Sequence, residues 1–146
     1  MKKFARMLLP VAVLLLTASS QSHAQESLYK RLGGYDAIAA VTDDFIGRLV
    51  TNKDLSRFFT GASDDSKKKI RQHIVDMLCN AAGGPCIYIG RTMKDSHKGL
   101  KISENDWNIT AGLLVETLNK FKVPQKEQSE LLVIVSSVKK DIVEVN

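Results

Sequence analysis

The sequence predicts an all-α domain of four main helices with one long irregular connection. Apolar residues recur at steps of three and four in four separate segments, and capping residues or glycine–proline pairs bound most of them. The one stretch that reads as extended, Cys86-Ile87-Tyr88-Ile89, has no second strand pattern to pair with. At 146 residues, 44% apolar and 25% charged, the chain has ordinary globular composition and room for one domain.

The first helix follows Gly33-Gly34, a pair that lets the chain turn sharply, and carries the stripe Tyr35, Ile38, Val41, Phe45, Ile46 and Leu49. The second starts after Asp64-Asp65-Ser66, whose side chains suit N-capping, with Ile70, Ile74, Met77, Leu78 and Ala81 on one face. Gly83-Gly84-Pro85 ends it. Ser103, with Asp106 three residues on, opens the third as an acidic variant of a capping box; Trp107, Ala111, Leu114, Leu118 and Phe121 share its face. Val123-Pro124 precedes the fourth, whose stripe is Leu131, Ile134, Val135, Val138 and Ile142. The glycine-rich connection from Pro85 to Ile102 is long for a compact domain, and loops of that length usually carry function.

The N-terminus is a separate object. Lys2, Lys3 and Arg6 precede an apolar run from Met7 to Thr17, followed by polar and small residues up to Ala24. This is the pattern of a secretory signal cleaved after Ala24, leaving a domain over 25–146 and a periplasmic or otherwise exported product. The run is shorter than the roughly 20 residues a spanning helix needs, so membrane contact is expected only through the export signal; an uncleaved anchor is the alternative. Setting aside the three bases of residues 1–24, which contain no acid, lowers the net charge from +5 to +2. The cluster Lys67-Lys68-Lys69 with Arg71 lacks interleaved aromatics and reads as a solvated helix face, so no nucleic-acid partner is expected.

After signal removal the chain has two histidines, His73 and His97, and two cysteines, Cys79 and Cys86. Their spacing, H-x5-C-x6-C-x10-H, matches no common zinc finger. There is no CxxCH for covalent haem, no Gly-rich phosphate loop, no GxSxG and no HExxH. A lone histidine in a polar stretch, such as His97, is more often a surface residue than a ligand. His73 borders the apolar stripe of the second helix, where a hydrogen-bonded core histidine is the plain reading. The cysteines admit two readings, a disulfide formed after export or a pair of buried thiols.

The order of several features together says more. Leu28-Tyr29-x-x-Leu32-Gly33-Gly34 opens the domain and Arg57-Phe58-Phe59 follows the first main helix. Gly83-Gly84-Pro85-Cys86-x-Tyr88-x-Gly90-Arg91-x-Met93-Lys94-x-x-His97, Trp107 and Lys122-Val123-Pro124 come next. This series, from about Ser27 to the C-terminus, resembles the group I truncated haemoglobins. The resemblance implies a two-over-two helical sandwich around one haem b, with His97 as proximal iron ligand and Phe58 and Phe59 as the pair that wedges the haem. A flat apolar cofactor with two carboxylates needs apolar walls and edge cations. Phe59, Tyr88, Met93, Leu100, Ile102 and Trp107 suit the first role, and Arg91, Lys94 or Lys98 the second.

The distal side departs from the family pattern. Ile46 stands where many members carry tyrosine, and Ile70 and Ile74 stand where glutamines often sit; none can donate a hydrogen bond. His73 matches a position where some members carry an iron-coordinating histidine. The resemblance therefore implies a globin binding O2, NO or CO, with two alternatives: a bis-histidine haem that transfers electrons to a redox partner, or an NO dioxygenase. The missing tyrosine and glutamine argue against tightly held oxygen, on which NO dioxygenation depends. A cofactor-free helical interaction module is the remaining reading.

Overall fold

Capping chemistry sets where the helices begin. The computed structural model describes residues 26–145; the expected signal segment and its cleavage point lie outside them. The Ser27 side chain caps α1 (Leu28–Arg31), and Gly33, at φ 95°, turns the chain into α2 (Gly34–Thr51). A 3-10 turn over Ser56–Phe59 follows. Ser63 caps α3 (Asp64–Ala81), Thr92 caps α4 (Met93–His97), and Ser103 with Asp106 forms a full capping box on α5 (Glu104–Lys120). Pro124 leads into α6 (Gln125–Ser137), and α7 (Lys139–Ile142) closes the series.

The four long helices share one core, in which Ile38 of α2, Val75, Leu78 and Cys79 of α3, Leu114 and Leu118 of α5, and Leu131 of α6 pack together. The chain packs α2 against both α3 and α5. Ion pairs reinforce α2 and its contact with α5: Asp44 of α2 accepts from Arg48 at 2.8 Å and from Lys120 of α5. Among the described residues there is no strand, only an isolated bridge between Ser103 and Val145, and no helix is long and apolar enough to cross a membrane.

Four expectations need correction. The second helix begins at Asp64 rather than after Ser66, because the Ser63 side chain supplies the cap by accepting the Ser66 amide. The fourth periodic segment does not run unbroken to Ile142: Val138 (φ −98°, ψ 0°) both ends α6 and begins α7, which turns to pack against α4. Tertiary packing there overrides the local period. Ile70 and Phe121, read as core-facing, are each 38% exposed, Ile70 in the solvent-exposed first half of α3 and Phe121 just past the end of α5. The irregular connection contains α4, because Thr92 supplies a cap that its lack of apolar period conceals.

Candidate functional site

His97 is the last residue of α4 and is half-buried. Thr92 holds the start of this short helix, its hydroxyl accepting the Asp95 amide at 3.1 Å and donating to the Asp95 carboxylate at 2.7 Å. One turn later, His97 Nδ1 lies 2.7 Å from the Met93 carbonyl oxygen. A carbonyl only accepts, so this bond requires the ring proton on Nδ1 and leaves Nε2 with its lone pair. Beyond His97 the backbone is left-handed at Gly99 (φ 82°) and again at Lys101 (φ 54°). The Glu144 carboxylate accepts both amides, at 2.7 Å from Gly99 and 2.6 Å from Lys101. Those two bonds hold the Glu144 carboxyl below the usual carboxylate range.

His73 forms a second cluster on α3. Its ring lies edge-on to Tyr88, with centroids 6.0 Å apart, and the Tyr88 hydroxyl donates to the Arg91 carbonyl at 2.6 Å. A side chain at position 90 would collide with the Tyr88 hydroxyl and with His73 Nδ1, so glycine there allows the approach. A disulfide joins Cys79 of α3 to Cys86, Cα to Cα 5.7 Å, and the Asn80 side chain donates through Nδ2 to the Cys86 carbonyl at 2.9 Å. The loop bearing Tyr88 is thus clipped to the helix bearing His73. Ile46 and Ile74 are half-buried, and with Ile70 they leave this side without hydrogen-bond donors at those positions.

Phe58 and Phe59 sit half-buried in the 3-10 turn. The Arg57 guanidinium lies 4.2 Å from the Phe58 ring centroid and donates through Nη2 to both Asp106 oxygens at 2.7 Å. The turn is thereby tied to the start of α5. Burial by itself would push the Asp106 carboxyl up, but the Ser103 amide, Arg57 and the Ser103 hydroxyl all favour the charged form and hold it low. Met93 and Tyr88 are half-buried, Leu100 is 41% exposed, and Ile102 and Trp107 lie in the core. Arg91, Lys94 and Lys98 are exposed.

These residues fit a haem. An imidazole with one nitrogen fixed and the other free, large apolar side chains incompletely covered by protein at Ile70 and Leu100, and exposed cations on the same connection are what the group requires. The Met93 carbonyl was legible from its spacing four residues before His97 once a helix was assigned there. Two participants lie outside the residues picked out from the sequence. Glu144 carries no local signal, since only folding brings the C-terminal segment to the turn after His97. Thr42, fully buried on α2 one turn before Ile46, has an Oγ1 without a hydrogen-bond partner among the described residues.

Residues 27–144 match the family model described as bacterial-like globin. The chain is 34% identical over 106 residues to the group 1 truncated hemoglobin GlbN of Mycolicibacterium paratuberculosis, covering 73% of this chain and 76% of that protein. The 2/2 hemoglobin of Synechococcus sp. PCC 7002, solved in the cyanomet state with covalently attached heme, superposes with a TM-score of 0.73 at 29% identity, covering 81% of this chain and 98% of that one. The truncated hemoglobin of Tetrahymena pyriformis in its Fe(III) form shares the fold, with a TM-score of 0.74 at 24% identity over 81% of this chain and 98% of that one.

Fold and family match together define a haem-binding globin built as a two-over-two helical sandwich, a class that binds diatomic gases such as oxygen. The chain belongs to the bacterial-like globin family, among its group 1 truncated haemoglobins.

Proposed function

We propose that His97 binds the iron of a single haem b through Nε2, and that the protein takes up diatomic gas on the side of His73. The observation that carries this reading is the bond from His97 Nδ1 to the Met93 carbonyl. Such a bond fixes the tautomer and ring orientation of a ligating histidine and raises its basicity. When bound, the haem supplies an iron centre that accepts a diatomic ligand and changes oxidation state. Ile46, Ile70 and Ile74 donate no hydrogen bond on the distal side, which favours NO or CO over tightly held oxygen. Phe58, Phe59 and Met93 supply apolar contact, and Arg91, Lys94 or Lys98 meets the propionates.

A second reading is supported by the half-buried His73 ring, whose neighbours Tyr88 and Gly90 are uncharged. In it His73 takes the sixth iron position and the protein exchanges electrons with a redox partner. The absorption spectrum of the ferrous, ligand-free protein separates the two. A five-coordinate, high-spin spectrum supports the gas-binding reading, and a six-coordinate, low-spin spectrum that disappears in His73→Ala supports the second. Purified protein that shows no Soret band and takes up no haemin sinks both.

The protein is proposed to act after export, in the periplasm. The disulfide between Cys79 and Cys86 supports an oxidising compartment. A mature chain starting at Gln25 is the expected result of N-terminal sequencing; a mature chain that still begins at Met1 argues against it.

A further inference from the structure

The C-terminal segment is folded back onto the turn after His97. The Glu144 and Val145 amides donate to the Ile102 carbonyl at 2.8 and 3.2 Å, so the backbone that presents the Glu144 side chain is itself held. Its carboxylate then receives the Gly99 and Lys101 amides, two and four residues beyond His97. Lys101 is left-handed, a conformation unfavourable for a residue with a Cβ, so this turn needs outside support to persist. The helix that carries His97 is five residues long and cannot fix itself. Thr92 and Asp95 brace its first turn. At its far end the Leu100 amide donates to the His97 carbonyl at 3.1 Å, and Glu144 braces the backbone from Gly99 to Lys101. Packing of α7 on α4 brings Glu144 into reach.

We propose that Glu144 is a positioning residue for His97: by clamping the Gly99 and Lys101 amides it fixes the turn leaving α4, and with it the direction in which His97 presents Nε2 to the haem iron. This rests on the reading of His97 as the iron ligand. Glu144 itself touches no cofactor. Its side chain acts through the backbone, and the bonds are charge-assisted, hence stronger than neutral ones.

The test uses the full-length haem protein in a His73→Ala background, which removes any competing ligand. Glu144→Ala and Glu144→Gln are compared by the rate of haem transfer to an excess of a haem-scavenging apoglobin and by the iron–histidine stretching band of the ferrous form. Exchange of the Gly99 and Lys101 amides is followed by NMR in the same haem protein in its diamagnetic ferrous CO form. Losing both acceptors in Glu144→Ala is expected to speed haem loss and amide exchange by about tenfold and to shift or broaden the stretching band. Glu144→Gln, which keeps one acceptor oxygen, is expected to fall between. A purely structural role would lower the melting temperature without moving the band. Amide exchange unchanged in Glu144→Ala, or haem loss and the band both unchanged while His97→Gly abolishes the band, overturns the role of Glu144 alone. A band that survives His97→Gly overturns the His97 reading and this inference with it.

Discussion

The imidazole of His97 and the carbonyl of Met93 are bonded across one turn of α4, with Nδ1 2.7 Å from the oxygen. The neutral ring is therefore locked as the Nδ1–H tautomer before any metal arrives. Long-range 1H–15N correlation spectra of the haem-free protein are expected to show Nδ1 protonated and Nε2 bare at a pH where the ring is neutral. A ring protonated on Nε2 contradicts this arrangement.

The disulfide closes a short loop, with a sequence separation of seven between Cys79 and Cys86. A closed loop of that size restricts the unfolded chain by an amount worth about 2.5 kcal/mol. Reduction with a dithiol is expected to lower the urea midpoint accordingly and leave the slope nearly unchanged. Because Tyr88, which packs against His73, follows Cys86 by only two residues, reduction is also expected to alter the distal side, read as a changed CO rebinding rate. An unchanged urea midpoint contradicts the stabilising role.

Acid should loosen the contact between α2 and α5. Arg48 first, and Lys120 with it, bring the Asp44 carboxyl down from an ordinary 3.8 to about 2. A carboxyl whose folded value is depressed adds stability that is complete above the unfolded value and disappears as pH falls through the folded one. Its contribution should therefore be present above pH 3.8 and vanish on the way to pH 2. Asp106 and Glu144, also lowered, add to the same trend. Urea unfolding followed as a function of pH is expected to fall less steeply in Asp44→Asn than in the parent; equal slopes contradict the assignment.

Thr42 buries a hydroxyl that has no partner among the described residues. An unpaired buried polar group costs free energy, and valine has nearly the same shape. Thr42→Val is expected to stabilise the fold by up to about 1 kcal/mol. Leu118→Ala, in the shared core, should cost about 2–5 kcal/mol. Thermal or urea unfolding checks both, and a destabilised Thr42→Val would mean the hydroxyl is in fact bonded.

The four long helices were legible because each combines a 3.6-residue apolar period with a local start signal, as at Ser103 and Asp106. The break at Val138 was not, because Ile142 continues the period and only packing of α7 on α4 interrupts it. Helix α4 was hidden for the opposite reason: Met93-Lys94-Asp95-Ser96-His97 has no apolar period, and its structure comes from Thr92 and from partners far along the chain. His97 stood out only through the ordered motif around it. Glu144 was invisible, since 43 residues separate it from Lys101 and no spacing rule spans that distance.

The central claim, that His97 Nε2 holds the haem iron, is tested most directly by the spectrum of His97→Gly reconstituted with haemin, with and without added imidazole. The substitution is expected to remove the parent spectrum, and free imidazole, entering the space left by the ring, is expected to restore it. A His97→Gly protein that keeps the parent spectrum in both oxidation states without imidazole would contradict the claim.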